Sequence, residues 1–392
     1  MPSAKPVRSE GASTSERIVV VADLHVSAGG GAPLFTADEA FARFVDNLGT
    51  RDQPRISALV LAGDFFDFVH ATRGRRAWRD TSEEASLGKL ELIADAHPLG
   101  VRALDDLAAS GTRVVVIPGN HDLEFVRPSA QRRLREVLGA SQAGTEDAVD
   151  FHPWIVYRRG FLYAEHGSQH HDLNAIRTLL VPSALGLETP LGAHVDLHRL
   201  DSAAGARGKA HVRLGAALVS RLLGIGDAAR PGQSRDREAA LEGVAQETGL
   251  DRRTLASLDR LSAVAPLALE RRIAREAARA LIARFKGAPL SRESYLEHAA
   301  AAIDDVLTRD RAEVPFYIFG HTHVPADRPL RPGRETPRYL NPGTWSTIVP
   351  RGAREVSDGA RFGFIELEGP EEGRPTARLL RWDDERHAAA PV

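Results

Sequence analysis

The stretch Ile18-Val19-Val20-Val21-Ala22-Asp23-Leu24-His25 decides the fold: five apolar residues, four of them β-branched, give way at once to an acid and an imidazole. A run that short and that branched reads as a buried strand, with the polar cluster where the strand leaves its sheet. The pattern recurs downstream. Ile56 to Ala62 runs into Gly63-Asp64-Phe65-Phe66-Asp67, and Arg113 to Ile117 is followed by Gly119-Asn120-His121-Asp122. Between the first two runs, helical spacing covers Thr36 to Leu48, with Thr36 expected as N-cap and Ala40, Phe41, Phe44, Val45 and Leu48 on one face. Strand, helix, strand, helix, strand is the order of an α/β core. Further strands are expected at Trp154 to Tyr157, Phe161 to Glu165, Phe316 to Phe319, Arg338 to Leu340, Phe362 to Leu367 and Ala377 to Trp382.

Two of these later strands end in the same kind of cluster, Glu165-His166-Gly167 and Gly320-His321-Thr322-His323. In open α/β sheets ligands bind outside the carboxyl ends of strands, so the five clusters are expected to converge on one crevice. The chain has no cysteine, so any metal must take His, Asp, Glu or Asn. Asp23, His25, Asp64, Asn120, His166, His321 and His323 could fill two coordination spheres, with Asp64 bridging them. An extended exit from each strand would aim residues i and i+2 the same way, pairing Asp23 with His25 and His321 with His323. Glycines 63, 119, 167 and 320 would let the backbone turn beside the metals. Two divalent ions about 3.5 to 4 Å apart acidify a water and clamp a phosphoryl oxygen.

In content and order the five clusters resemble the signature blocks of the calcineurin-like metallophosphoesterase superfamily, over residues 17–170 and 311–382. The resemblance implies a four-layer αββα sandwich with a large helical insertion. It implies one metal held by Asp23, His25, Asp64 and His323 and another by Asp64, Asn120, His166 and His321, the ions being manganese, iron or zinc. It makes His121 the group that protonates the leaving group and Asp122 the carboxylate that orients it. The implied reaction is hydrolysis of a phosphomonoester, phosphodiester or pyrophosphate bond by hydroxide held between the metals. Within the superfamily the stretches Gly63 to Phe68, His166 to Asp172 and Gly320 to Pro325 are similar to those of UDP-diacylglucosamine pyrophosphohydrolases, whose helical insertion caps an acyl substrate. This chain departs from that subgroup in having His121 where the subgroup often has Arg, and in its longer insertion.

The rest of the sequence fills in around that core. Residues 1–16 are Ser/Ala-rich without an apolar region and read as a disordered tail, 17–184 and 309–384 as the core, and 185–308 as a helical insertion serving as cap or lid. In the insertion, Leu269, Ile273, Ala277, Ala280 and Leu281 line one face of an expected helix and Arg271, Arg272, Arg275 and Arg279 the other, which offers a membrane-surface variant of the lid. A helix at Ser294 to Leu307 opens with Ser294 and Glu297 in capping-box spacing. Arg73, Arg75 and Arg76 could fork a substrate phosphate, His170 and His171 could contact it, Asn341 would shape the site, and Asp67 could support a ligating histidine. The net charge of -2 and the absence of heptads argue against the alternative of a superfamily nuclease on DNA. The full set of charged groups argues against a non-catalytic, partner-binding scaffold. The expected partner is a small, lipid-linked or nucleotide-linked phosphoester, in a cytoplasmic protein.

Overall fold

The computed structural model describes residues 16–29, 34–49, 55–74, 76–139, 148–171, 173–176, 179–180, 187–203, 233–262, 294–331, 333–347, 361–369 and 373–392. Its first strand, β1 (Glu16–Val21), feeds two separate interiors, because successive side chains of a strand point to opposite faces. Val19 and Val21 join a core of helix and sheet residues, whereas Ile18 and Val20, with Ala22, join one shared by two sheets. The same split runs through β2 (Ala58–Ala62) and β5 (Arg113–Ile117), which explains why these runs carry no polar residue until their ends.

Between β2 and β5 lie a short hairpin, β3 (Thr72–Arg73) with β4 (Arg76–Ala77), and helices α2 (Glu83–Ala96) and α3 (Pro98–Ala109). Helix α1 (Asp38–Leu48) precedes β2, and α4 (Pro128–Val137) follows β5. Next come β6 (Val149–Phe151), β7 (Ile155–Arg158), β8 (Leu162–Glu165), α5 (Leu191–Ala203), α6 (Gln233–Thr248), α7 (Arg252–Leu261) and α8 (Ser294–Arg309). The chain closes with β9 (Phe316–Phe319), β10 (Ala326–Pro329), β11 (Arg338–Asn341), β12 (Gly363–Gly369), β13 (Thr376–Asp383) and β14 (Ala388–Pro391). One sheet has the order β14-β13-β12-β1-β2-β5-β6 and the other β10-β11-β9-β8-β7. In the first, β1, β2, β5 and β6 are parallel; in the second, β8, β9 and β11 are. The parallel strands of both sheets thus deliver their carboxyl ends to the polar clusters.

The architecture is mixed α/β, with helices flanking both sheets, as the sequence reading expects. Helices α1 to α4 cover the outer face of the larger sheet, with Phe41, Phe44, Leu90 and Leu104 against Val19 and Leu59. The smaller sheet turns Tyr163, Tyr317, Phe319 and Tyr339 outward, against Val244, Leu255, Leu258, Leu296 and Ile303 of α6, α7 and α8. Those three helices therefore form an outer layer of the sandwich, and α8 also borders the site through Tyr295, whose ring stacks on His171 at 5.5 Å. The expected arginine-faced helix at residues 269–284 lies outside the described residues.

One cap differs from the sequence reading. Helix α1 starts at Asp38, and its N-cap position, Ala37, makes no side-chain cap bond, so Thr36 is not the cap. Asp38 instead accepts from the N–H groups of Leu99 at 3.2 Å and Gly100 at 2.9 Å, first-turn donors of α3 that lack helical partners. In α8, Glu297 accepts from Arg328 of β10 at 2.7 Å; the Ser294 side chain of the expected capping box lies outside the described residues. Among the described residues no helix is long and apolar enough to cross a membrane.

Candidate metal centre

Each cluster sits at a strand end, but not in the extended geometry that residue spacing alone would give. Asp23, His25, Asp64, His321 and His323 all have positive φ, between 51° and 68°, a conformation that non-glycine residues adopt only when their surroundings impose it. Backbone bonds impose it here: His25 N–H donates to Asp64 O at 2.9 Å, and Asp23 N–H to Gly63 O at 3.1 Å. Gly63 has φ of 88° itself, whereas Gly119 is required for space, since a Cβ there would come within 2.2 Å of Asp64 Oδ1.

The result is two adjoining groups of donors. Asp23, His25 and His323 form one and Asp64, His166 and His321 the other, the ligand-type atoms within each lying within 4.8 Å of one another. Asp64 links them, its Oδ2 being 3.6 Å from His25 Nε2 and 3.3 Å from His166 Nε2. Asn120 Oδ1 joins the second group, 3.2 Å from His166 Nε2. All seven sequence-derived ligand candidates are thus brought together.

The electrostatics call for positive charge. Asp23 Oδ1 is fully buried without a hydrogen-bond partner, 3.3 Å from His323 Nε2. His166 donates its Nδ1 proton to Ala62 O at 3.1 Å, so Nε2 is the nitrogen facing Asp64 and Asn120. Burial lowers the His166 imidazole, and the Asp64 carboxylate more than reverses this, pushing it up to about 9. Burial lowers His25, and lowers His321 together with neighbouring His166 and His171, which keeps both rings in the neutral form a metal requires. Burial would raise Asp64, but His166, His121 and His25 hold it well below the usual carboxylate range. An orphaned buried carboxylate oxygen among neutral imidazoles, Asn and Asp is a donor set suited to divalent ions.

Asp67 is the surprise of the site. Its fully buried carboxylate accepts from His25 Nδ1 at 2.9 Å, His70 Nδ1 at 2.8 Å and His121 Nδ1 at 3.0 Å. Asp67, not Asp122, therefore orients His121. Asp122 accepts instead from the N–H groups of Gly119 at 2.5 Å, Asp64 at 3.2 Å and Phe65 at 2.8 Å, tying the loops after β2 and β5 together. Burial lowers His121, while Asp67 and Asp64 lift it well above its ordinary range.

The other expected site residues fall in varied places. Asn341 is fully buried and braces the backbone, donating to Gly320 O at 2.8 Å and accepting from Gly343 N–H at 2.8 Å. His171 Nδ1 lies 3.1 Å from His321 Nε2, at the edge of the second group. His170 turns away to Glu165, at 2.5 Å. Arg73 stacks its guanidinium over Trp78, 3.6 Å from the ring centroid, and Arg76 is exposed on the same hairpin. Neither reaches the donor groups. Arg75 lies outside the described residues. Two neighbours had no motif to reveal them: His70, stacked parallel to His121 at 5.4 Å, and Asn174, whose Nδ2 is 3.1 Å from His321 Nε2. Asp67 and His70 do stand three apart, a spacing that could have signalled the pair.

Residues 16–199 match the family model of the calcineurin-like phosphoesterases. Among solved structures, the phosphopantetheinyl hydrolase of Mycobacterium tuberculosis is similar over 84% of this chain and 90% of its own, at 12% identity and a TM-score of 0.27. No curated protein matches significantly.

Proposed function

We propose that this chain, whose residues 16–199 match the calcineurin-like phosphoesterase model, is a metal-dependent phosphoric ester hydrolase and cleaves a phosphomonoester, phosphodiester or pyrophosphate bond in a small, lipid-linked or nucleotide-linked substrate. The observation that carries the reading is that seven ligand-type side chains form two adjoining groups linked by Asp64, with Asp23 Oδ1 buried in the first without a hydrogen-bond partner. Asp23, His25, Asp64 and His323 would hold one divalent ion, and Asp64, Asn120, His166 and His321 the other. Bound there, the ions supply Lewis acidity for phosphoryl oxygens and an acidified water.

The chain's own groups do the rest. His121 gives its Nδ1 proton to Asp67 Oδ1 at 3.0 Å, so Nε2 is the nitrogen that serves a leaving-group oxygen as general acid. The buried Asp67 charge fixes the ring and favours its protonated form. His25 is oriented by the same carboxylate through Nδ1, leaving Nε2 for coordination. Asp122 binds backbone N–H groups, and Asn341 braces backbone together with the Thr322 hydroxyl, both holding the ligand-bearing loops in register.

The test is hydrolysis of bis-p-nitrophenyl phosphate with added manganese, together with metal content, for the wild type and Asp64→Ala. The variant is expected to lose both ions and turnover, because it removes the shared ligand. Wild-type-like turnover by Asp64→Ala refutes the reading.

A further inference from the structure

Beyond His166 the chain makes a tight turn beside the second group of ligand candidates, Asn174 N–H donating to His171 O at 2.9 Å. Both side chains of that turn reach His321. His171 Nδ1 and Asn174 Nδ2 each lie 3.1 Å from His321 Nε2 and 2.8 Å from one another, a closed triangle of three polar atoms. Tyr295 of α8 steadies one corner, its ring stacked on that of His171 at 5.5 Å. Gly192, in the first turn of α5, leaves room for another, since a Cβ there would come within 1.7 Å of Asn174 Oδ1.

With the amide as it stands, its NH₂ donates to both imidazoles, so His321 Nε2 supplies a lone pair and the ring proton sits on Nδ1. That arrangement is at odds with a metal ligand. The nitrogen that has a lone pair is covered by the amide, and the other carries a proton, whereas coordination needs a bare nitrogen. Asn174 Oδ1 is meanwhile buried and, among the described residues, has no hydrogen-bond partner. Keeping the NH₂ in place and moving the ring proton to Nε2 would set two donors against each other at 3.1 Å.

Turning the amide end for end removes the conflict. Oδ1 then takes the place of Nδ2, 2.8 Å from His171 Nδ1 and 3.1 Å from His321 Nε2. A carbonyl oxygen has two lone pairs and accepts from both rings. The stranded acceptor is put to use, His321 carries its proton on Nε2, and Nδ1 is left bare. This is how an outer partner ordinarily holds a ligating histidine.

We propose that Asn174 is a positioning residue for the second ion: its Oδ1 accepts from the Nε2–H of His321 and thereby makes Nδ1 the nitrogen that faces the ion. The inference rests on the two-ion reading above and deepens it, naming the coordinating nitrogen and the group that selects it.

Asn174→Asp and Asn174→Leu separate accepting from donating, because a carboxylate can only accept and Leu does neither. Manganese titration of the full chain by calorimetry reads both ions, and binding of the first ion shows that each variant is folded. Asn174→Asp is expected to hold the second ion at least as tightly as the wild type, and Asn174→Leu to lose about 10- to 100-fold in its affinity. If Asn174→Asp fails as badly as Asn174→Leu, the wild-type amide donates and the inference falls. A Leu variant that binds like the wild type overturns it too. A second measurement needs no change at position 174: in zinc-loaded protein carrying ¹⁵N-histidine, the ring whose signals vanish in His321→Gln is expected to show a coordinated Nδ1 and a protonated Nε2. Coordination through Nε2 overturns the inference and leaves the two-ion reading standing, whereas a wild type that takes up no divalent ion overturns both.

Discussion

Replacing Asp67 by Asn isolates what one buried charge does for three imidazoles. Oδ2 accepts from His25 Nδ1 at 2.9 Å and His70 Nδ1 at 2.8 Å, while Oδ1 accepts from His121 Nδ1 at 3.0 Å and from the His70 N–H at 2.8 Å. Every one of these partners is a donor. An Asn side chain has one accepting oxygen, so whichever way it turns its NH₂ meets two donors and two hydrogen bonds are lost. At about 1.5 to 3 kcal/mol for each bond to a charged group, the ring network loses roughly 3 to 6 kcal/mol of support. Two readouts separate the consequences. Metal affinity should fall about 10- to 100-fold, because His25 loses the partner that orients it. With manganese saturating, kcat for an alkyl ester should fall about 100- to 1,000-fold and for a p-nitrophenyl ester less than about tenfold, because only the poor leaving group needs the His121 proton. Metal titration by calorimetry and steady-state kinetics on both esters measure this. Equal losses for the two leaving groups, or a titration superimposing on that of the wild type, would refute the role given to Asp67.

Two further outcomes test the outer layer and its attachment. Leu255→Ala in α7 should cost about 2 to 5 kcal/mol in urea unfolding and lower the midpoint of the whole core, since Leu255 is 0% exposed and packs in the cluster containing Tyr317 and Phe319; a separate, lower transition with the core unchanged would mean that these helices fold as an independent lid. His152 joins the core to α6, its Nδ1 lying 2.6 Å from Glu247 Oε1 and its Nε2 3.3 Å from Asp150 Oδ2. Burial lowers His152, but bonds to Asp150 and Glu247 outweigh it and push it up to about 9 from 6.5. A folded pKa above the unfolded one means stability that is complete below about pH 6.5 and lost as pH rises through 9, about 3 kcal/mol at most. The gap in thermal midpoint between wild type and His152→Gln should therefore be widest near pH 6 and closed by pH 10, and an equal gap at both would contradict the ion pair.

The parallel strands were legible because both of their faces are buried, which leaves runs such as Ile18 to Ala22 with no polar residue to confuse the reading. Elements that bury less were not. Strand β6 is three residues long, and α2 buries Ser86 and Lys89 beside Ala85, Leu90 and Ile93, so neither has a clean period. Periodicity told that the helices near the second sheet had an apolar face, but not which surface it would cover; only the outward tyrosines of β8, β9 and β11 answer that. The grouping of the ligand candidates could be read because five strand ends repeat one chemistry in order. The partner of His121 could not, because adjacency in sequence pointed to Asp122, whereas the fold brings Asp67 to the ring across 54 positions. Lys89 escaped notice for the opposite reason, as a single charge on a helix is ordinarily solvated.

The left-handed backbone at five ligand positions changes how substitutions there should be read. Each such residue costs of order 1 to 3 kcal/mol, and the surrounding bonds must offset it. They do so by lacing the loops to one another: Trp345 N–H donates to Asp23 O at 3.2 Å, Thr344 Oγ1 to the same carbonyl at 2.6 Å, and His321 N–H to Asp23 Oδ2 at 2.8 Å. Asp23 therefore offers a carboxylate to the first group of ligand candidates and a brace to the loop that carries His321 and His323. Alanine at position 23 removes both, and also places in the left-handed region a residue that tolerates it less well than Asp or Asn. Asparagine removes the charge while keeping an acceptor and the backbone preference. A difference between Asp23→Ala and Asp23→Asn thus measures the brace, and what the two variants share measures the ligand.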